Sequence, residues 1–332
     1  MKPELLTTHC SLLTKKNLLA FSSGIDSSAL FFLLIENNIK FDIAIVDYGL
    51  RKQSNEEIQH AKALARQYNL TCHTATAPKF TSHFEQQARA FRYAFFESLI
   101  REYHYDNLLT AHQLNDRLEW MLMRLAKGAG VVEMTGLEAV TQKKGYTLLR
   151  PLLDYSKDEL LAYLNVNKHP YFVDESNSDE RYERNAFRKH FSDPIIAKYK
   201  EGIKRSFDYL ETDREQLLSG YETMYHEKEL YVLRIYDSKV KTRAVDRTLK
   251  RLGYLLSAAQ RQEIATSDSL VIGRTWAVAY QEKVLYIAPY LTADMPKDFK
   301  EQCRINKIPS KIRPYLFKAK IDPETIRQLH HP

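Results

Sequence analysis

The feature that most constrains this chain is a short apolar strand that runs into a turn of small residues and out again into an apolar helix. Asn17-Leu18-Leu19-Ala20-Phe21 reads as a buried strand, Ser22-Ser23-Gly24-Ile25-Asp26-Ser27-Ser28 as the turn, and Ser27 to Asn37 as the helix. Small side chains at such a turn let backbone N–H groups converge on one anion, and the helix N-terminus adds its partial positive charge. The turn therefore predicts a phosphate cradle made of Ser22, Ser23, Gly24, Ile25, Asp26 and Ser27. It lacks the Gly-x-x-x-x-Gly-Lys of a Walker A loop, and one glycine cannot make a dinucleotide fingerprint. Asp26 inside the cradle would repel a phosphate unless a cation lay between them, which argues for Mg²⁺ bound with a nucleotide and held by Asp26. The competing reading is a serine-rich turn with a capping aspartate.

Three further strand-like runs follow, Asp42–Val46, Thr71–Thr76 and Asn107–Ala111. Helical stretches separate or follow them: Ser54 to Tyr68, which a Ser54-x-x-Glu57 capping box opens, Phe84 to Tyr103, and Leu114 to Lys127. Strands alternating with helices imply crossover connections, so the expected fold class is α/β, a parallel sheet with helices on both faces. A loop leads on to Tyr146–Leu149, and Ser156 with Glu159 caps a helix to Asn167. A polar loop, Asp174–Asp179, precedes long helical stretches expected from Tyr182 to Glu229. Beyond them come a strand (Leu230–Tyr236), helices (Lys239–Leu252 and Ala258–Ile264) and two strand-like runs (Thr275–Tyr280 and Val284–Ala288). The expected domains are a catalytic one over residues 1–215, a helical linker over 216–229, and a smaller mixed α+β domain over 230–332.

The 332 residues, 44% hydrophobic and 27% charged, fit an ordinary globular protein. The longest apolar run, Ala29 to Ile35, is too short to span a bilayer, and the N-terminus lacks the apolar core of a secretory signal. Cys10, Cys72 and Cys303 lie far apart with no Cys-x-x-Cys, which argues against a zinc ribbon, an all-cysteine iron–sulfur site or a disulfide framework. A cytoplasmic protein with no membrane partner is expected. The net charge of +7 is unevenly placed: residues 230–332 hold 19 Lys/Arg against 10 Asp/Glu, while the remainder is slightly acidic. A segregated basic segment suits a polyanion such as RNA or DNA; the bland alternative is a solvated basic face.

Several segments carry a family resemblance. The turn resembles the Ser-Gly-Gly-x-Asp-Ser signature of the ATP pyrophosphatase (PP-loop) superfamily, with Ser23 at the first glycine. Serine makes that turn freely at negative φ and is strained at positive φ. Val46-Asp47-Tyr48-Gly49-Leu50-Arg51 resembles the Val-Asp-His-Gly-Leu-Arg of tRNA(Ile)-lysidine synthetases, with Tyr48 for histidine. Ala88-Arg89-Ala90-Phe91-Arg92-Tyr93 is similar to that family's Ala-Arg-x-x-Arg-Tyr helix. His112, Asp116 and Glu119 match its His-x-x-x-Asp-x-x-Glu, although the family usually has an acid where Asn115 stands and Thr where Trp120 stands. Arg184-Asn185-Ala186-Phe187-Arg188, after Asp174 and Asn177, is similar to its Arg-Asn-x-x-Arg segment. The matches run in the family's order over about residues 17–190.

The residues fit such chemistry. His112, Asp116 and Glu119 are spaced i, i+4 and i+7, which predicts one shared helix face after a strand's carboxyl end. Two acids and an imidazole suit a substrate ammonium and proton handling; a solvent-facing stripe or a weak metal site at His112 and Asp116 are the rivals. Arg92, Arg184 and Arg188 suit phosphate contacts or surface ion pairs. The resemblance implies a Rossmann-like fold of the adenine nucleotide α-hydrolase type. It also implies a ligase that joins L-lysine to C2 of the wobble cytidine of tRNA(Ile) with a CAU anticodon. The reaction would use ATP and Mg²⁺, pass through adenylated tRNA, release AMP and pyrophosphate, and change codon reading from AUG to AUA. In that reading residues 22–27 hold the ATP phosphates, Arg92 and His112 stabilise the reacting phosphate, and Asp116 and Glu119 hold lysine. Arg184 supports adenylation and the basic segment grips tRNA(Ile), while a homodimer stays open. A sister tRNA-thiolating enzyme and a non-catalytic RNA binder with a decayed loop are the alternatives. The lack of cysteine pairs counts against the first, and the retained Asp26, His112, Asp116, Glu119 and Arg184 against the second.

Overall fold

The computed structural model describes residues 10–49, 53–80, 82, 84–173 and 183–327. Leu50, Arg51, Asp174, Asn177 and Tyr182, each part of an expectation above, lie outside the described residues. The chain divides into two units, Met1–Glu211 and Thr212–Pro332.

The first unit is built on six strands: β1 (Asn17–Ala20), β2 (Phe41–Asp47), β3 (Cys72–Thr76), β4 (Asn107–Leu109), β5 (Val140–Lys143) and β6 (Tyr146–Leu149). Their order is β3-β2-β1-β4-β6-β5, and every pairing is parallel except the β5–β6 edge hairpin. The helices are α1 (Cys10–Leu13), α2 (Ile25–Glu36), α3 (Gln53–Gln67), α4 (Phe84–Tyr103), α5 (Leu114–Ala126), α6 (Val131–Met134), α7 (Lys157–Val166), α8 (Glu183–Phe187) and α9 (Asp193–Ser219), whose residues from Thr212 onward belong to the second unit. A π-helical turn, Arg188–Ser192, joins the last two.

Side chains alternate across a strand, so neighbouring residues serve opposite faces. Leu19, Ile43, Ile45, Leu109 and Leu149 pack with Phe31 and Leu34 of α2, Leu64 of α3 and Leu160 of α7. Leu18, Ala44, Leu108 and Leu148 pack on the other face with Phe96, Leu99 and Ile100 of α4. Helices thus cover both faces, as the alternating pattern predicts. The chain moves outward from β1 to β2 and β3, then returns to place β4 on the other side of β1. That reversal opens a crevice at the carboxyl ends of β1 and β4, where open α/β sheets bind ligands. Two local readings change. Helix α3 already includes Gln53, so Ser54 lies inside its first turn rather than capping it. The expected loop before Tyr146 contains β5, a short polar edge strand that shows little hydrophobic alternation and turns back at Lys144 and Gly145, with φ +89° at Gly145.

The second unit holds an antiparallel sheet of β7 (Tyr221–Glu227), β8 (Leu230–Ile235), β9 (Ser269–Ile272), β10 (Trp276–Gln281) and β11 (Val284–Pro289), ordered β7-β8-β11-β10-β9. Tyr231, Leu233, Ile235, Leu285 and Ile287 face α10 (Lys241–Arg251) and α11 (Ala258–Thr266). Val232, Val284, Tyr286 and Ala288 face α12 (Lys297–Ile305), α13 (Arg313–Ala319) and α14 (Pro323–Arg327). The helical linker expected over 216–229 is corrected: α9 stops at Ser219, and Tyr221–Glu227 pairs with β8 as a hairpin. A Cβ at Gly220 would meet both γ-methyls of Val240 at 3.0 Å, so the glycine permits a close approach and breaks the helix. Beyond it, the half-buried Tyr221, Met224 and Tyr225 are interspersed with Glu222, Thr223, His226 and Glu227, and a bulge at Thr223/Tyr225 breaks the period of two, which masks the strand among its charges. Among the described residues no helix is long and apolar enough to cross a membrane.

Candidate active site

A cavity of about 460 Å³ opens at the crevice. Its walls include Ser22, Gly24, Ile25, Asp26 and Ser27 from the turn, Tyr48 after β2, Arg92 on α4, His112 after β4, and Lys157 at the start of α7. The structure therefore brings together the turn, Arg92 and His112, as the sequence predicts. Ser23, Asp116, Glu119 and Arg184 do not line this cavity.

The turn is fixed from behind. Gly24 is the N-cap of α2 and has no side chain to satisfy the first-turn N–H groups, which leaves them for an anion. Ser27 Oγ accepts from the Ser22 backbone N–H at 3.2 Å, and the Ser22 and Ser27 hydroxyls meet at 3.0 Å. Ser23 adopts the strained alternative, φ +58°, with its side chain fully buried. Its hydroxyl donates to the Glu57 carbonyl of α3 at 3.1 Å and lies 3.3 Å from His60 Nδ1. Its carbonyl accepts from Phe172 N at 2.8 Å. A positive φ costs a non-glycine residue roughly 1–2 kcal/mol, and these contacts offset it.

Asp26 follows in the first turn of α2. Its Oδ1 is buried and without a hydrogen-bond partner. Burial first, and the nearby Asp116 carboxylate second, push its carboxyl up to about 7, against the opposing charge of Lys157. An orphaned carboxylate oxygen beside a phosphate cradle is the donor a hard cation needs, so the residues fit Mg²⁺ held jointly by Asp26 and nucleotide oxygens. No group of three metal-ligating side chains occurs among the described residues. His112 Nδ1 lies 3.0 Å from Thr110 Oγ1, and burial drives the imidazole down to about 4, with Arg150, Arg184 and Arg89 acting in the same direction. The ring is neutral near pH 7 and can donate a hydrogen bond without adding charge.

His112 is not on the helix as expected. Gln113 caps α5 with extended backbone (φ −128°), so His112 sits in the preceding loop and only Asp116 and Glu119 share the helix face. Asp116 Oδ2 closes the capping box on Gln113 N at 3.0 Å. Its Oδ1 accepts from Arg184 at 3.0 Å and from Arg188 at 2.8 Å. Glu119 accepts from Nε of both arginines, at 3.0 Å for Arg188. Two carboxylates at i and i+3 thus meet two guanidiniums at i and i+4. Burial alone would raise the Asp116 carboxyl, but Arg184, His112 and Arg188 together hold it below its usual range. Arg184 is the exposed member, 43% accessible against 17% for Arg188. Asn115 is a bridge: its amide donates to Asp193 at 2.7 Å and its oxygen accepts from Lys157 N at 3.2 Å. An acid there would face the Asp193 carboxylate.

Sequence reasoning passed over Lys157, Arg89 and Phe172. Lys157 had a legible signal, because a cation in the first turn opposes the helix dipole and needs an anion to explain it. Arg89 lay inside a quoted motif without a role. The Gly24–Phe172 bridge joins segments far apart in sequence and leaves no local trace. Arg89, Arg92 and Lys157 form no ion pair among the described residues, which suits cations that await a phosphate.

A PP-loop domain model matches residues 4–194. The chain is 45% identical over 308 residues to the tRNA(Ile)-lysidine synthase of Campylobacter jejuni, covering 92% of this chain and 94% of that protein. It is 42% identical over 305 residues to the one from Helicobacter pylori, covering 91% and 89%. Among solved structures, the U34-tRNA thiolase NcsA from Methanococcus maripaludis, with its iron–sulfur cluster, superposes with a TM-score of 0.53 at 17% identity over 63% of this chain and 76% of that one. That likeness shows the fold alone. The PP-loop match covers more than half of the chain and the lysidine synthase matches cover about nine-tenths of it, so the chain belongs to the tRNA(Ile)-lysidine synthase family.

Proposed function

We propose that the protein ligates L-lysine to C2 of the wobble cytidine of tRNA(Ile) and consumes ATP in doing so. The observation that carries the reading is the uncapped α2 N-terminus with the orphaned Asp26 oxygen beside it, facing Arg92, Lys157 and neutral His112 across one cavity. The cytidine C2 oxygen attacks the α-phosphorus of ATP, and pyrophosphate leaves. The lysine ε-amine then attacks C2, loses a proton, and AMP departs with the former C2 oxygen. Residues 22–27 hold the phosphates, and Asp26 would hold Mg²⁺ together with the nucleotide, where the ion would supply charge neutralisation. Arg92 and His112 meet charge that develops on the reacting phosphate.

Asp116 and Glu119 are the lysine site in this reading. Both are saturated by Arg184 and Arg188, so the four groups are electroneutral and a lysine ammonium needs one guanidinium to leave. Arg184, the more exposed, is the one to move, and a move toward the adenylating phosphate gives it the role the family resemblance implies. The second unit grips the tRNA through its surplus of basic residues. The described cysteines, Cys72 and Cys303, are free thiols, which suits the reducing cytoplasm.

The test is incubation with tRNA(Ile) transcript, ATP and labelled lysine, followed by nucleoside analysis. Lysidine should form only when all three are present; incorporation of sulfur instead, or none of lysine, overturns the reading. Asp116→Ala should raise the lysine KM by about 10- to 150-fold, the worth of a charge-assisted contact, with a smaller effect on the ATP KM.

A further inference from the structure

A second cavity, about 450 Å³, adjoins the first and shares Arg89 and Tyr93 with it. One wall is a face of α4 that carries Arg89, Tyr93 and Glu97; the other is the β5–β6 hairpin and its exit, with Lys143, Tyr146 and Arg150. Arg150 is only 8% exposed. Its Nη1 donates to the Glu138 carbonyl and, at 3.0 Å, to Thr141 Oγ1, while its buried Nε–H has no partner. An unsatisfied buried donor on a guanidinium is costly, and an acceptor brought by a ligand removes that cost. Arg89 lies over the Tyr93 ring at 4.8 Å, which makes a flat cationic platform on the wall common to both cavities. The lining acid, Glu97, accepts from the Tyr146 hydroxyl at 3.2 Å. Three cations and one occupied carboxylate around two aromatic rings match a phosphodiester joined to a planar base.

We propose that this second cavity holds the nucleotide next to the modified cytidine, with its base against Tyr93 and Tyr146 and its phosphate against Arg89, Arg150 and Lys143. The inference rests on the lysidine reading, since a strand that delivers one base to the first cavity must lead its neighbour past the shared wall. It assigns to α4 and the β5–β6 hairpin a recognition role that phosphate chemistry in the first cavity does not require.

Equilibrium binding of an anticodon stem-loop RNA to the full chain tests it, with Lys143→Glu and Arg150→Gln and with each neighbour of the cytidine made abasic in turn. Each variant should weaken the stem-loop by about 10-fold, while ATP affinity changes by less than about two-fold. An abasic neighbour should weaken the wild type to a similar degree and add little to either variant, because contacts that share one site are not additive. Wild-type RNA affinity in both variants, or an abasic penalty that adds in full, overturns the proposal. If Arg150→Gln lowers the melting temperature, Lys143→Glu at the exposed end of β5 carries the test, and Lys143→Arg should restore binding. Failure of the lysidine reading appears separately, as a wild type that binds RNA in this pattern yet incorporates no lysine.

Discussion

Both units cover a sheet with helices on two faces, yet they place their charges differently. In the first, Asp116, Arg117, Glu119 and Arg150 are all less than 9% exposed, and the first three lie on α5, just beyond the carboxyl end of β4. In the second, the buried charged side chains among the described residues are Lys241 and Asp246, and each is paired, Lys241 with Asp268 and Asp246 with Lys250 and Arg261. Its surplus lies outside, at Lys297, Lys300, Lys318 and Lys320 among others. Parallel strands send every carboxyl end to one edge of the sheet, so loops from distant segments converge and can bury charge at a common point. Antiparallel strands alternate their ends and offer no such point. Buried charge is expensive and marks chemistry, while exposed charge of one sign attracts a polyanion at long range. The contrast predicts that the units fail in different ways.

The largest effect belongs to Asp26. Asp26→Asn should lower turnover by about 100-fold or more and remove the Mg²⁺ dependence of ATP binding. Equal turnover would remove the turn from the mechanism. The same variant should be more stable than the wild type, and pH gives the sign. The Asp26 carboxyl is raised to about 7, so between its unfolded value and 7 the folded protein keeps a proton that the unfolded chain has released. Stability therefore falls as pH rises from that unfolded value to about 7 and levels off above it, where Asp26 ionises in a site that disfavours its charge. Asp26→Asn cannot ionise, so its Tm should exceed the wild type's at pH 8 and match it near pH 4. A Tm gain at acid pH instead would mean that Asp26 is paired in the folded state.

The second effect concerns tRNA. A cut at residue 230 would strand β7 without its partner β8, so the informative truncation keeps residues 1–219 and ends with α9. That protein, shown folded by its thermal melt, should bind ATP as the full chain does and lose tight tRNA binding. Replacing pairs of Lys297, Lys300, Lys318 and Lys320 should flatten the salt dependence by about 0.9 per lost duplex phosphate contact. If the truncated protein binds tRNA with an unchanged salt slope, the first unit carries recognition and the division of labour fails.

A third, smaller effect tests how the buried charges are arranged. Asn115→Asp would bring two carboxylates together where Asn115 now donates to Asp193 at 2.7 Å. It should lower the Tm at pH 8, by about 1–3 kcal/mol of stability, and recover in acid as the pair shares a proton; adding Asp193→Asn should rescue it. This residue also shows where the sequence was legible. The strands β1 to β4, their intervening helices and the phosphate turn follow from local alternation, and Asp26, Arg92 and His112 follow from motif position. Partners across distance do not. Nothing near Asn115 names Asp193, nothing near Asp116 and Glu119 shows that Arg184 and Arg188 occupy them, and β7 carries a period of two hidden by a bulge and flanking charge.

The smallest effect is at Ser23, and its order is the informative part. The residue has φ +58°, which glycine adopts without penalty and serine does not. Ser23→Gly therefore removes about 1 kcal/mol of strain but also removes the hydroxyl that reaches the Glu57 carbonyl and His60, worth about as much. The net change should be near zero, with Tm and turnover close to the wild type. Ser23→Ala keeps the strain and loses both contacts, so it should cost roughly 1–2 kcal/mol and slow adenylation as the turn loosens. Alanine, chemically nearer to serine, should be the worse replacement. His60→Ala should weaken the same contact and act less on Ser23→Gly than on the wild type. If glycine proves as damaging as alanine, the hydroxyl dominates and strain is unimportant at this turn. If both are silent, α3 does not support the phosphate cradle, and the buried serine is only a packing residue.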